Sequence, residues 1–286
     1  MPLRRAHPWQ SRPNSFVARR GRLKLATWNI NSVRLRLQRV LELLDQERPD
    51  ILCLQETKAP DEAFPLDALR AAGWKHIAIR GMKSYNGVAV LSRLPITVVP
   101  DTPDWCTKGD CRHLAVHLPG PDLVVENFYV PAGGDIPDPA ANPKFAHKLA
   151  FVAEATNHFA ARGGAKRSVL LGDLNIAPLE HDVWSHRQLL DVVSHTPVES
   201  EGLLGWQRAG KFADAVRHFV PDTEKLYTWW SYRNRDWRAS DRGRRLDHIW
   251  VSGDIAGGLK AARVLKDARD WQLASDHVPV VVELAV

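Results

Sequence analysis

Short apolar segments alternate along the chain with helix-period segments, and conspicuous polar residues stand where the apolar segments end. Residues 168–171 (SVLL) run directly into Gly172, Asp173, Leu174 and Asn175. An apolar run stopped by glycine predicts a buried strand that opens into a loop. Residues two apart in extended chain project to the same side, so Asp173 and Asn175 are expected to face one point. Taken alone, the pattern also fits a strand followed by an ordinary Asp/Asn turn.

The same arrangement recurs at other apolar segments. Asn29 and Asn31 end the first one, Glu56 follows the next, and Tyr129 ends a later one. Between them, apolar residues at three- and four-residue spacing over 33–44 predict a helix that Asn31 or Ser32 would cap and a proline would stop. The predicted strands are 23–31, 51–55, 74–80, 87–91, 112–118, 123–130, 168–171, 245–251 and 278–286, and the predicted helices are 33–44, 66–72, 145–161, 188–193 and 212–219.

Composition indicates an ordinary globular chain. It has 286 residues, 44% hydrophobic and 25% charged, which suits one large α/β domain. No apolar run approaches the roughly 18 residues of a membrane helix, and no secretory signal is evident. Three cysteines are too few for a disulfide framework. We therefore expect free thiols, a cytoplasmic location, a monomer and no membrane partner.

The net charge of +6 comes from one end of the chain. Residues 1–24 carry seven basic residues and no acid, which leaves 32 basic against 33 acidic residues in the remainder. We interpret residues 1–22 as a disordered basic arm and 23–286 as a single catalytic domain. The arm could follow a polyanion such as DNA. A solvated tail, a start codon assigned too far upstream or an organelle transit peptide would have the same composition.

A second candidate for metal binding lies at 106–117. Cys106, Cys111, His113 and His117 superficially provide four zinc ligands. Apolar residues alternate with the histidines there, as in a half-buried strand, so we favour a strand over a zinc site.

The strand-end residues share chemistry that suits a hard cation and a phosphate. Carboxylates and amides are the oxygen ligands of Mg²⁺ or Mn²⁺, and one histidine has acids near it in sequence. No Ser or Cys nucleophile stands out, so hydrolysis of a phosphodiester by an aligned water is the chemistry we expect. The set is Asn29, Asn31, Glu56, Tyr129, Asp173, Asn175, Asp247, Asp276 and His277.

The motifs around these residues resemble the exonuclease III and abasic-site endonuclease family. They occur in family order and span most of the chain. They are TWNIN at 27–31, LQETK at 54–58, YNGVAVLS at 85–92, YVP at 129–131, GDLNIA at 172–177, RLDH at 245–248 and SDH at 275–277. The resemblance implies a four-layer α/β sandwich of two packed mixed sheets flanked by helices, DNase I-like, with its site at one end of the sheets.

The resemblance also implies a metal site. Glu56 would be the principal Mg²⁺ ligand, and Mn²⁺ could substitute. Asn29, Asn31, Asp247 or Asp276 would complete the site directly or through water. Asn31 stands where other members have an acid, which leaves open whether one or two metals bind.

Roles in the reaction carry over in the same way. Asp173 would orient or deprotonate the attacking water, and Asn175 would hold it and the phosphate. Tyr129 would donate to the phosphate or the leaving oxygen. His277, paired with Asp247, would bind the non-bridging oxygens as an imidazolium.

DNA contact is expected mainly from 229–245, where basic and aromatic residues interleave. Trp229 and Trp230 are expected on a strand, one of them in the core, and Trp237 as the exposed wedge. The family usually has an amide at Ala132, and some members have an inserting arginine near Asp135. The expected DNA-binding residues are Trp229, Trp230, Trp237, Arg238, Arg244 and Arg112.

The expected partner is duplex DNA, especially abasic or 3′-blocked. The activity would be Mg²⁺-dependent cleavage 5′ to abasic sites and removal of 3′ groups or nucleotides, and the sequence leaves open which dominates. Alternatives are a related phosphodiesterase or phosphatase acting on a non-DNA substrate, or a non-catalytic DNA-binding module. Secreted nucleases of this type carry a second catalytic histidine where this chain has Tyr129.

Overall fold

A computed structural model describes residues 21–234 and 236–286 of the chain. Most of the predicted basic arm lies outside these ranges. Arg22, which we assigned to the arm, is the first residue of a strand and pairs with Ala285. Within the described ranges, every helix is too short or too polar to cross a bilayer.

Two six-stranded sheets form the centre of the fold. In the first sheet the strands run, edge to edge, β11 (Leu259–Val264), β12 (Val280–Ala285), β1 (Arg22–Asn29), β2 (Ile51–Gln55), β4 (Val88–Ser92) and β3 (His76–Arg80). In the second they run β5 (Thr97–Val98), β6 (His113–Leu118), β7 (Leu123–Tyr129), β8 (Ser168–Asp173), β10 (Asp247–Ser252) and β9 (Phe212–Asp214). Both sheets are mixed, with one parallel pair in each, β1 with β2 and β7 with β8.

Helices cover the outer face of each sheet. The helices are α1 (Leu37–Gln46), α2 (Leu66–Ala71), α3 (Pro143–Ala161), α4 (His186–Leu189), α5 (Pro197–Ala209) and α6 (Trp237–Ser240). Residues of α1 and α2 pack with one face of the first sheet, and residues of α3 and α5 pack with one face of the second. The remaining two faces form a common core between the sheets. The predicted four-layer α/β sandwich is therefore confirmed.

Strands that are apolar on both faces explain this layering, because each of the two faces must be covered by another layer. Leu52 and Leu54 of β2 face the helices, while Ile51 and Cys53 face the other sheet. Near the site, the inter-sheet core turns polar: the Gln55 amide donates to Asn127 Oδ1 of the opposite sheet at 2.7 Å. This bond ties the two sheets together beneath the site.

The sheet directions bring one set of strand ends to a common edge. β1, β2, β7 and β8 all run toward it, while β10 and β12 are antiparallel to their neighbours and start from it. Asp247, which begins β10, therefore pairs directly with Asp173, which ends β8.

Several local predictions were wrong. Residues 212–219 were predicted helical, but 212–214 form edge strand β9, where Phe212 packs against Trp250 of β10. Helix α1 begins at Leu37 rather than 33, so neither Asn31 nor Ser32 caps it. Residues 229 and 230 lie in no named strand; Trp229 makes only isolated bridges. Helix α5 was missed, although Thr196 and Glu199 form a capping box ahead of it.

Candidate active site

The strand-end residues converge on one polar cluster. Asn29 donates through its amide nitrogen to Glu56 Oε1 and to Asp173 Oδ2, both at 2.8 Å, and so bridges the two sheets. Asp173 Oδ2 lies 3.7 Å from His277 Nε2. His277 Nδ1 lies 2.8 Å from Asp247 Oδ2. Residues as far apart in sequence as Asn29 and His277 thus share one site.

Two tight turns orient the side chains of Asn29 and Asp173. The backbone N–H of Asn31 donates to Asn29 Oδ1, and that of Asn175 donates to Asp173 Oδ1 in the same way. Asn31, Asn175 and Glu56 all have positive φ, at 46°, 54° and 49°, a strained conformation that is typical of functional sites. Gly172, with φ of 142°, is required, because a Cβ there would come within 1.9 Å of a backbone oxygen.

His277 is held as an imidazolium. It is 4% exposed, and burial alone would lower its pKa, but the carboxylates of Asp247 and Asp173 raise the pKa of His277 to about 10. The Thr228 hydroxyl donates to Asp247 Oδ2 at 2.6 Å and fixes that carboxylate. With Nδ1 bound to Asp247, His277 presents Nε2–H toward Asp173 and the cavity. At neutral pH this ring can therefore donate to an anion.

Asp173 is poised to exchange a proton. It is fully buried, and burial raises its pKa to about 7, with Asp247 adding to the effect while His277 and the Asn29 amide oppose it. Asn175 also donates to Asp173 Oδ2 at 3.1 Å. A carboxylate whose pKa lies near neutrality suits a general base.

Tyr129 stays neutral over a wide pH range. Burial and the carboxylates of Glu56 and Asp173 raise the pKa of Tyr129 well above its usual value. The Arg112 guanidinium lies over the Tyr129 ring, 4.8 Å from its centroid, and pairs with Asp110. Arg112 therefore supports Tyr129, and DNA contact by Arg112 stays a prediction.

The ammonium group of a lysine contacts two of the predicted metal ligands. Lys58 Nζ lies 2.7 Å from both Glu56 Oε2 and Asn31 Oδ1. Burial opposes ionisation of Glu56, but Lys58 and the Asn29 amide lower the pKa of Glu56 below its ordinary value. Asp276 receives hydrogen bonds from Asn31 and from Trp229. Lys58 lies in a motif that the resemblance used, yet its role was not foreseen.

These residues fit a hard divalent cation. Glu56, Asp276 and Asn31 supply carboxylate and amide oxygens. Asp247 Oδ1 is buried and has no hydrogen-bond partner among the described residues. Asp173, Asp247 and His277 form a close titratable trio, in which His277 Nδ1 is bound to Asp247 and Nε2 faces Asp173. The carboxylates and Asn31 supply the oxygen atoms that suit a hard cation.

The zinc alternative is not supported. The trio just described is the one group of three metal-binding side chains found within the described ranges. His113 lies on strand β6, as the strand interpretation predicted, and its Nε2 lies 3.0 Å from Glu126 Oε2.

A cavity of about 950 Å³ opens beside the cluster. Trp229, Leu246 and Trp184 provide an apolar side, and Arg244 and Ser194 lie among its walls. Of the predicted residues, Glu56, Asn175, Trp229, Arg244, Asp276 and His277 line it. Trp184, Ser194 and Leu246 were not predicted; Leu246 lies inside the RLDH motif.

The aromatic wedge prediction was wrong. Trp237 is only 7% exposed, because its ring packs 5.1 Å from that of Trp230 and its Nε1 donates to Asp270. Trp230 is fully buried, so it is the core tryptophan of the pair. Arg238 is exposed, but Asp267 and Asp270 neutralise it. Trp229 and Arg244 are therefore the members of this segment's predicted set that reach the cavity.

A buried ion pair supports the cavity loops. Lys148 and Glu199 are both fully buried and bonded to each other. Lys148 Nζ donates to the backbone oxygen of Asn175 at 2.8 Å, and Glu199 accepts from the backbone N–H groups of Ser194 and Thr196. The pair thus joins the Asn175 turn to the Ser194 wall. Sequence reasoning missed it.

Comparison with known proteins agrees with this geometry. The model of the Endonuclease/Exonuclease/phosphatase family matches residues 26–277. The chain belongs to this family. Among family relatives, exodeoxyribonuclease III of Haemophilus influenzae is 26% identical over 91% of this chain and 99% of its own.

Two solved structures are similar to this chain in both fold and sequence. The 3′ phosphatase NExo from Neisseria, bound to a product DNA hairpin, is 33% identical, with a TM-score of 0.80 over 92% of this chain and 99% of its own. An AP endonuclease from Archaeoglobus fulgidus is 29% identical, with a TM-score of 0.84 over 92% of this chain and 100% of its own. The expected family and fold are thereby confirmed.

Proposed function

We propose that this protein is a Mg²⁺-dependent DNA repair phosphodiesterase of the exonuclease III type. It cleaves 5′ to abasic sites and removes 3′ blocking groups or nucleotides from duplex DNA, acting as a cytoplasmic monomer. The observation that carries the proposal is the buried array Asp247, His277 and Asp173, which places an imidazolium beside a carboxylate whose pKa is about 7. Relatives named as an exodeoxyribonuclease, a 3′ phosphatase and an AP endonuclease support it.

Each of these residues has a separate role in the reaction. Asp173 accepts the proton of a water that attacks phosphorus, while Asn175 positions that water. His277 Nε2–H donates to a non-bridging oxygen and offsets its growing charge. The P–O3′ bond breaks, and the neutral Tyr129 hydroxyl donates to the phosphate or the departing oxygen.

A divalent cation held by Glu56 and Asp276, with Asn29 and Asn31 beside them, would offset phosphoryl charge and lower the barrier to attack. Because Asn31 is neutral, the donor set favours one tight cation. Lys58 Nζ, which contacts Glu56 Oε2 and Asn31 Oδ1, would compete with the cation for those two atoms.

The test uses labelled duplexes with an internal tetrahydrofuran abasic analogue, a 3′-phosphate or an unmodified recessed 3′ end. We expect cleavage of each in Mg²⁺ that leaves a 3′-hydroxyl, and none in EDTA. Asp173→Asn should lower the same activities by roughly 10²-fold or more without unfolding the protein. Unchanged turnover in EDTA, or no cleavage of any duplex, would refute the proposal.

A further inference from the structure

One charged side chain interrupts the apolar face of helix α3. Residues 145, 151, 152, 155 and 159 of this helix are apolar and buried, and Lys148 lies on the same face and is just as fully buried. A buried ammonium group is costly unless it is paired and its donors are bonded. The bonds that Lys148 makes therefore indicate why a lysine occupies this position.

Lys148 Nζ has three acceptors, one for each of its N–H groups. They are Glu199 Oε1 at 2.5 Å, the Asn175 carbonyl at 2.8 Å and the Ala132 carbonyl at 3.3 Å. Within the part of the chain that the structure describes, Lys148 is the one donor to either carbonyl. The loops that follow strands β7 and β8 thus share a single donor.

Both loops carry groups of the proposed reaction. Tyr129 ends β7, and Asp173 ends β8. The Asn175 backbone N–H donates to Asp173 Oδ1, and its side-chain nitrogen donates to the Val130 carbonyl at 2.9 Å. The φ of Asn175, 54°, lies in the left-handed region, which costs free energy and persists only where the surroundings hold it. Lys148 holds this residue from its carbonyl side.

The loop after β7 leaves a path for the lysine. Gly133 has a φ of 89°, and a Cβ there would lie 2.9 Å from Lys148 Cδ. The same loop is bonded to the start of helix α3, because the side-chain nitrogen of Asn142, the N-cap residue, donates to the Gly133 carbonyl at 2.8 Å. The position of Nζ relative to this loop is therefore restricted from both sides.

The two members of the buried pair have separable roles. Glu199 accepts from the backbone N–H groups of Ser194 and Thr196, which are contacts that do not involve Lys148. Because Glu199 balances its charge, Lys148 influences the site through hydrogen bonds rather than through a net electric field. An apolar pair often serves stability equally well, but it could not donate to two carbonyls.

We propose that Lys148 is a positioning residue of the reaction, which holds the loops that carry Tyr129 and Asn175 by bonding the Ala132 and Asn175 carbonyls. This inference rests on the proposed function. Lys148 is buried beneath these loops and acts on the substrate only through them. A displacement of about 1 Å in such groups can lower a rate by about 10²-fold.

The experiment compares two ways of breaking the pair, in single-turnover cleavage of the duplex with an internal tetrahydrofuran site. Lys148→Met should lower the rate at saturating enzyme by about 10- to 100-fold and change the half-saturating enzyme concentration by less than about threefold. Glu199→Gln should lower the rate by less than about threefold, because a neutral amine at Lys148 keeps two N–H groups for the two carbonyls and can accept from the new amide.

A matched control and a double variant separate positioning from stability. Lys24→Met, the same change in a lysine–glutamate pair near the start of β1, should leave both constants unchanged. In urea unfolding, both single variants of the buried pair should be destabilised, and Lys148→Met with Glu199→Gln, which leaves no unpaired charge, should recover stability but not rate. Equal rate losses in the two single variants, or recovery of the rate in the double variant, would overturn the inference. If Lys148→Met does not fold, the double variant supplies the rate.

Hydrogen exchange gives a second readout that needs no activity. In the double variant, the Asn175 backbone amide should exchange about tenfold faster relative to that of Leu170 in β8, whereas Glu199→Gln should leave this ratio unchanged. An unchanged ratio in the double variant would overturn the inference. If the wild type cleaves no duplex but the ratio responds, the proposed function fails and the catalytic role of Lys148 with it, although Lys148 still holds the turn.

Discussion

Replacing Asp247 with asparagine tests whether one buried carboxylate keeps His277 charged. The Oδ2 to Nδ1 distance is 2.8 Å. At an effective dielectric constant of about 20, such a pair interacts by about 6 kcal/mol, which corresponds to a change of about 10⁴ in proton affinity. The neutral amide removes this attraction, while burial of the ring continues to disfavour the charge. The pKa of His277 should therefore fall from about 10 to its ordinary range or below.

The assay is an NMR titration of labelled histidine in metal-free protein, with His277→Gln used for assignment. In the wild type, His277 should remain an imidazolium up to about pH 9, and in Asp247→Asn it should be neutral at pH 8. Turnover in Mg²⁺ at pH 8 should fall by about 10²-fold or more, the usual effect of one electrostatic group. Asp267→Asn, the same change on an exposed side chain, should alter neither measurement.

Stability should follow the same titration. The folded pKa of His277 is raised, so the ion pair stabilises the protein fully below about pH 6.5, and this contribution disappears as pH rises through about 10. Urea unfolding should therefore show Asp247→Asn most destabilised at pH 6 and least near pH 10. If His277 in the variant still carries its proton at pH 8, Asp247 is not the source of the shift and the reasoning is wrong.

Four further predictions address the other parts of the molecule. Glu56→Gln should lower turnover by orders of magnitude with partial recovery in excess Mn²⁺, and equal activity in both enzymes at every metal concentration would exclude Glu56 as the ligand. Asp173→Asn should lower turnover by roughly 10²-fold and remove the rise of rate with pH that ends near pH 7, measured as a pH–rate profile. Lys148→Met and Glu199→Met should each lower the free energy of unfolding by about 3–5 kcal/mol, and the double variant by less than their sum, because each single change leaves a buried charge unpaired; additive losses would contradict this. Deleting residues 1–20, which removes five arginines, should flatten the plot of log K for DNA against log salt by up to about four units, whereas an unchanged slope would show that these residues do not contact DNA.

Local sequence signals were enough to predict most strands and helices and the polar residues that the strand ends bring together, whereas the four-layer sandwich was implied by the family resemblance. Apolar runs without alternating polar residues predicted strands whose two faces are both covered. The polar residues at the strand ends included Glu56, Asp173 and His277. These predictions succeeded because strand periodicity is local and because carboxyl ends of parallel strands meet at one edge. The family resemblance supplied roles that spacing alone could not assign.

Tertiary structure decided the contacts and roles of residues that look alike in the sequence. Arg244 and Arg245 are adjacent, yet only the second meets Asp182 and Asp214 from distant segments. Trp237 looked like an exposed wedge in a basic segment, but packing on Trp230 buries it.

Lys58 and the Lys148–Glu199 pair were likewise invisible in the sequence, because nothing local distinguishes a lysine that a carboxylate will meet from one that water will surround. The partner of a charge, and therefore its pKa and its function, is set by residues that only folding brings within a few ångströms.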